Sequence, residues 1–201
     1  MINYDLTKIK ALAFDVDGVL STNNVYLSDD GDGQPQRTAN IKDGYAMQLA
    51  VKCGLKLAII TGGRSAAVKK RYENLGVQNV FAGISVKIAC FQHWLETENL
   101  KPEEVLYMGD DIPDYKVMTQ VGLPVCPLDA CEEIKSVARY ISDITGGDGC
   151  ARRHRASDAC ERSLDERRQG LRMVSNGNIN QFVFPPLLKK KTIATLQNLC
   201  K

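Results

Sequence analysis

No run of apolar residues in the 201-residue chain approaches the length of a membrane-spanning helix, so none is expected. The seven cysteines form no CxxC pair, and the one CxxH, Cys90–His93, has no second such pair to complete a zinc site. Several of them sit inside apolar runs, as reduced structural thiols of a cytoplasmic protein do. The opening "MINYDLTKIK" lacks the apolar core of a signal peptide, and the expected location is the cytoplasm. Of the two histidines, His93 has only Cys90 and Glu96 three residues away and His154 only Cys150 and Asp158 four away; neither belongs to a fuller ligand set, and both read as bystanders. No internal repeat is present. What remains is an ordinary globular composition, 44% apolar and 25% charged, in a chain long enough for one well-cored domain.

The net charge of +2 conceals an asymmetry. Residues 1–150 hold 15 Lys and Arg against 20 Asp and Glu, whereas residues 151–201 hold 11 against 4. Up to about residue 145, strand and helix signals alternate. Strands are expected at 9–15, 55–60, 78–82, 104–109 and 123–126, with a short one near 139–141. Helices are expected at 43–53, 64–75, 86–98, 112–121 and 130–137. Such alternation predicts an α/β fold, a doubly wound, Rossmann-like parallel sheet with helices on both faces. Residues 23–41 break the pattern. Their Gly/Asp-rich turn between two short arms predicts a β-hairpin inserted after the first strand.

The apolar run "ALAF" ends in "DVDG", placing two carboxylates, Asp15 and Asp17, at the end of a buried strand. Ionised groups at the margin of a core cost desolvation energy unless they are paired, most economically with a cation. In open α/β sheets, ligands bind beyond the carboxyl ends of the strands. There the other strands and the helix after strand 78–82 deliver Thr61, Lys87, Asp110, Asp111 and Asp114. Carboxylates, one hydroxyl and one ammonium at a common edge suit phosphoryl transfer. Carboxylate oxygens are hard ligands for Mg²⁺. The metal and Lys87 would offset the charge of the phosphate. An aspartate can attack phosphorus, and a second acid two residues on can protonate the leaving oxygen and later activate water. Gly18 lets the backbone turn close to the phosphate.

Taken in order, "DVDGVL", "ITGG", Lys87 and "GDDIPD" resemble the four motifs of the haloacid dehalogenase superfamily of phosphatases. The hairpin in place of a cap domain, with "IKDGYAMQLA", "TGGRSAAV", "RYENLGV" and "GGDGCAR", narrows the likeness over about residues 7–152. It resembles the capless, tetrameric branch of 3-deoxy-D-manno-octulosonate 8-phosphate (KDO 8-phosphate) phosphatases, which serve lipopolysaccharide precursor synthesis. The resemblance implies Asp15 as nucleophile and metal ligand. It implies Asp17 as general acid/base that touches substrate and binds metal through its backbone carbonyl. Thr61, Gly62 and Lys87 would hold the phosphate, and Asp110 would complete the Mg²⁺ site. Asp111 and Asp114 would position Lys87 or the metal's waters, and Arg64 would reach a substrate carboxylate. Val86 stands where the family often has Asp before the motif lysine, which removes one orienting partner. Trp94 and Phe91 read as core.

Other readings compete. A receiver domain also uses an acidic pocket, Thr and Lys, but its acidic pair precedes a separate phosphoacceptor and it lacks the second acid of DxD. A phosphatase for a nine-carbon sugar acid, such as 2-keto-3-deoxynononate 9-phosphate, is the nearest alternative. That branch is associated with an acidic residue at the place of Gly63. A catalytically silent oligomeric binding module is the rival of a different class.

Residues 1–152 are thus the expected phosphatase domain, and 153–201 an atypical basic tail. Between 152 and 172 there are seven Arg and no Lys, and no amphipathic period survives. Back-translated from Arg153 and read one nucleotide on, "RHRASDACERSLDERRQGLRMV" permits "DIEQVMRANGVWMNDAKAFGW" and then a stop. That peptide resembles the family's C-terminal tail, which reaches toward a neighbouring subunit's active site. The tail is therefore expected to be frame-shifted and poorly ordered, its charge implying neither nucleic acid nor membrane. The expected partners are a phosphorylated sugar acid and further copies of the chain, as a homotetramer.

Overall fold

The computed structural model describes residues 4–27 and 33–153. The expected tail beyond Arg153 lies outside the described residues. Six parallel strands form one sheet in the order β3-β2-β1-β4-β5-β6. They are β1 (Ala11–Phe14), β2 (Lys56–Ile60), β3 (Asn79–Phe81), β4 (Val105–Met108), β5 (Leu123–Cys126) and β6 (Tyr140–Ile141). Every residue of β1, β4 and β5 is buried. This is why "ALAF", "VLYM" and "LPVC" read as unbroken apolar runs: parallel strands with helices on both faces have no solvent side.

Alternate side chains of each strand feed two cores. On one face Leu12, Phe14, Leu57 and Ile59 pack with Met47 of α1 (Ile41–Lys52) and Tyr72 of α2 (Ala66–Asn74). On the other, Ala11, Ala13 and Ala58 leave room for Phe91 and Trp94 of α3 (Lys87–Glu98). The short helices α4 (Tyr115–Met118) and α5 (Glu132–Val137) complete that face with Met118 and Ile134. Small residues on the sheet and large ones on the helix are the complementary shapes that close packing demands. Among the described residues no cap domain stands over the sheet.

Local chemistry moves several boundaries. Helix α1 starts two residues earlier than its apolar period implies, because the Asn40 side chain accepts N–H bonds from Lys42 (2.9 Å) and Asp43 (3.4 Å). Helix α2 starts later than 64, at Ala66, with Ser65 as its N-cap. The helix expected over 112–121 is a 3₁₀ turn, Ile112–Asp114, followed by four α-helical residues, because Pro113 favours the start of a helix and Gly122 follows its end. The helix expected from 130 begins at Glu132. The insertion at 23–41 is, among the described residues, a single antiparallel bridge between Tyr26 and Gln36, with N···O distances of 3.1 and 2.9 Å. Its tip, 28–32, lies outside the described residues.

Candidate active site

The strand order reverses its direction of growth at β1, so the β1–β4 pair forms the crevice where an open α/β sheet takes its ligands. Asp15 follows β1, and its N–H donates to the Met108 carbonyl of β4 at 3.0 Å, which seats it in the crevice. The chain then turns tightly: the Val16 carbonyl accepts N–H bonds from Val19, Leu20 and Ser21. Gly18 has φ +80°, and a Cβ there would lie 2.5 Å from Asn23 Oδ1 and closer still to the Asp110 carboxylate. The turn therefore needs glycine twice over, for its backbone and for the approach of Asp110. The "GGDG" segment lies against the same turn, where Gly147 donates its N–H to the Val19 carbonyl at 2.9 Å.

Lys87 is the first residue of α3, and its side chain is buried beside Asp15 and Asp114. Its Nζ lies 2.8 Å from Asp15 Oδ2 and 2.8 Å from Asp114 Oδ1. Val86, exposed at the preceding position, does not leave the lysine unoriented. Asp114 orients it instead. Asp114 also accepts the Tyr107 hydroxyl at 2.5 Å and the Asp110 backbone N–H at 3.3 Å. Asp111 is exposed; its charge adds to the effect of burial in raising the Asp110 carboxyl, and its backbone carbonyl opens the 3₁₀ turn by accepting the Asp114 N–H.

Asp17 points elsewhere. Its carboxylate takes a two-point contact from Arg37, with Nε–Oδ1 2.5 Å and Nη2–Oδ2 3.0 Å. Arg37 comes from the returning arm of the insertion. Thr61, buried after β2, accepts the Gly63 N–H on its hydroxyl at 3.1 Å, which shapes the Thr61–Gly62–Gly63 loop. Arg64 is exposed, lies along Gly83 and does not join the acidic group. Arg37 and Tyr107 were missed in the sequence. Nothing in the insertion's local pattern distinguishes Arg37, whereas Tyr107 carries a signal: a lone hydroxyl in a fully buried strand needs a partner.

The electrostatics mark a deficit of positive charge. Burial, and then the charge of Asp114, push the Asp15 carboxyl well above the ordinary range, with Lys87 opposing. Burial and the charges of Asp15 and Asp114 push Asp110 up to about 8. One oxygen each of Asp15, Asp110 and Asp114 lies within 4.8 Å of the others. Asp114 accepts from three donors, but Asp110 Oδ1 is buried with no hydrogen-bond partner among the described residues. An orphaned carboxylate oxygen beside a second buried carboxylate fits a hard divalent cation. The side chain of Asp17 is not part of that cluster. Of the residues expected as metal ligands, the structure brings the side chains of Asp15 and Asp110 together, with Asp114 beside them.

Residues 41–127 match the haloacid dehalogenase-like hydrolase family. The 3-deoxy-D-manno-octulosonate 8-phosphate phosphatase of Escherichia coli strain K12 is 38% identical over 144 residues, covering 72% of this chain and 76% of that protein. The corresponding phosphatase of Yersinia pestis is 36% identical over the same shares. The crystal structure of the Yersinia pestis enzyme aligns with a TM-score of 0.72 at 34% identity, over 80% of this chain and 85% of the other. The Moraxella catarrhalis phosphatase, solved in complex with magnesium ion, phosphate ion and KDO, aligns with a TM-score of 0.70 at 28% identity. That alignment covers 85% of this chain and 94% of the other.

Proposed function

The chain belongs to the haloacid dehalogenase-like hydrolase family and is a phosphatase, and from that premise we propose that it hydrolyses 3-deoxy-D-manno-octulosonate 8-phosphate to KDO and phosphate. The observation that carries the proposal is the position of Asp15. Its carboxylate is buried where the strand order reverses, 2.8 Å from an ammonium and clustered with the carboxylates of Asp110 and Asp114. An oxygen of Asp15 attacks phosphorus as the P–O ester bond breaks, giving an aspartyl-phosphate. Asp17, on the open side of the same turn with 40% of its side chain exposed, delivers a proton to the leaving alkoxide. It then takes a proton from the water that hydrolyses the intermediate. Lys87 has three N–H donors, and the one not spent on Asp15 and Asp114 points charge at the phosphoryl oxygens with the Thr61 loop. Asp15, Asp110 and the Asp17 carbonyl would hold Mg²⁺. Bound there, the ion would offset the repulsion between the nucleophile and a dianionic phosphate.

The KDO assignment draws on the likeness of 144 residues to phosphatases of that name. The product would feed lipopolysaccharide precursor synthesis in the cytoplasm. The test is phosphate release in Mg²⁺ from a panel of phosphorylated sugar acids. The eight-carbon substrate is expected to lead. A nine-carbon substrate turned over faster would reassign the enzyme, and no release from any would favour a silent binding module.

Assembly as a homotetramer belongs to the same proposal. With no cap over the sheet among the described residues, Tyr26, Leu27 and Ile41 are 67%, 86% and 80% exposed on and beside the insertion. Apolar surface of this kind on an inserted arm invites burial by a second subunit. Light scattering is expected to report four chains, and a fully active monomer would contradict it. The tail from Arg153 we propose to be the product of a lost reading frame. The nucleotide sequence decides it: the frame one base on encodes the peptide ending "KAFGW", or the reading fails.

A further inference from the structure

We propose that Arg37 is a phosphate-binding residue of this site, its fork resting on Asp17 in the substrate-free enzyme and available to the phosphoryl group. The inference rests on the phosphatase reading and adds a residue to it. Arg37 lies on an inserted arm, yet only 9% of its side chain is exposed. Its guanidinium is fixed from two sides, by the Asp17 carboxylate and by Nη1 donating to the Pro35 carbonyl at 2.9 Å. Those contacts use three of its five N–H donors, and among the described residues the other two have no partner.

The location of the free donors gives them a use. The point where a Cβ on Gly63 would stand lies 3.0 Å from Arg37 Nη2 and 3.5 Å from Thr61 Oγ1. The fork and the hydroxyl therefore border one small space, kept open because residue 63 has no side chain. The charge balance points the same way. Asp15, Asp17, Asp110 and Asp114 face Lys87 and Arg37, so a divalent cation brings the group only to neutrality. A phosphate dianion then needs donors not already spent. Lys87 has one donor left after Asp15 and Asp114, whereas Arg37 has two left and meets planar oxyanions through paired N–H bonds.

The test is the affinity of the full-length enzyme for inorganic phosphate in Mg²⁺, by titration calorimetry, alongside KM and kcat. Arg37→Ala is expected to weaken phosphate binding about 10- to 100-fold, the scale of hydrogen bonds to a charged group. Arg37→Lys keeps the charge without the fork and should fall between it and wild type. It also serves if the alanine variant does not fold. Arg37 also neutralises Asp17, so both substitutions are repeated in an Asp17→Asn background. A loss that persists there supports direct contact. A loss that vanishes shows Arg37 acting only through Asp17 and overturns the proposal, as does unchanged phosphate affinity or a wild-type enzyme that binds no phosphate. Failure of the sugar-acid panel with phosphate binding intact would instead sink the substrate assignment alone.

Discussion

Replacing Gly18 by Ala separates backbone strain from damage to the site. At φ +80° a residue with a Cβ costs about 1–2 kcal/mol. The new methyl would also stand inside contact distance of the Asp110 carboxylate and 2.5 Å from Asn23 Oδ1. Asp110 would have to retreat by about 1 Å or more to restore ordinary contact, and overpacking of that kind adds roughly 1–3 kcal/mol. Misplacing a group at a reacting centre by about 1 Å can cost on the order of 100-fold in rate. The control is Gly54→Ala. Gly54 has φ +89° but open space around the would-be Cβ, so only the strain of about 1–2 kcal/mol is expected. Urea melts and phosphate-release kinetics on both variants, at saturating Mg²⁺, read the two effects. Gly54→Ala should keep wild-type kcat, and Gly18→Ala should lose about 100-fold or more while remaining folded. Equal activity in the two variants would refute the account of how Asp110 is placed.

Mg²⁺ is expected to raise the melting temperature. At 100 times its dissociation constant it would add about 2.7 kcal/mol, and Asp110→Asn should abolish most of the increment. A gain of the same size in the variant would move the metal elsewhere. Asp43 is buried; one oxygen accepts the Arg152 backbone N–H at 2.7 Å and the other has no partner among the described residues. Burial pushes its carboxyl up to about 6. The folded state therefore holds the proton more tightly, and this contribution, present below about pH 4, is lost as pH rises through about 6. Asp43→Asn should remove that decline, gaining at most roughly 3 kcal/mol at pH 7 relative to wild type. Parallel stability profiles for the two proteins between pH 4 and 7 would exclude it.

The sheet could be read from sequence because its strands are buried on both faces, so each is a contiguous apolar run that needs no partner to be recognised. Helix ends could not, since Asn40 and Ser65 set them through local bonds, and Pro113 through its fixed φ, none of which leaves a period. Asp15, Lys87 and Asp110 could be placed because parallel strands end at one edge, whatever their separation in the chain. The sequence shows which residues reach that edge but not which of them pair. Asp114, read as a supporting group, proves to gather Lys87, Tyr107 and the Asp110 backbone. Arg64, expected at a substrate carboxylate, is exposed and apart from the acidic cluster, and Arg37 arrives from an insertion that shows a single bridge among the described residues. A side chain carried by so irregular an arm has no periodicity to betray it.

The central claim is that Asp15 forms a covalent bond to the transferred phosphoryl group. It is tested by mixing enzyme, Mg²⁺ and 3-deoxy-D-manno-octulosonate 8-phosphate, quenching in acid during turnover, and mapping the peptides by mass spectrometry. The account predicts one phosphoryl group on the peptide containing Asp15, absent from Asp15→Asn, together with loss of phosphate release in that variant. Wild-type turnover by Asp15→Asn, or a phosphoryl group found on any other residue, would contradict it.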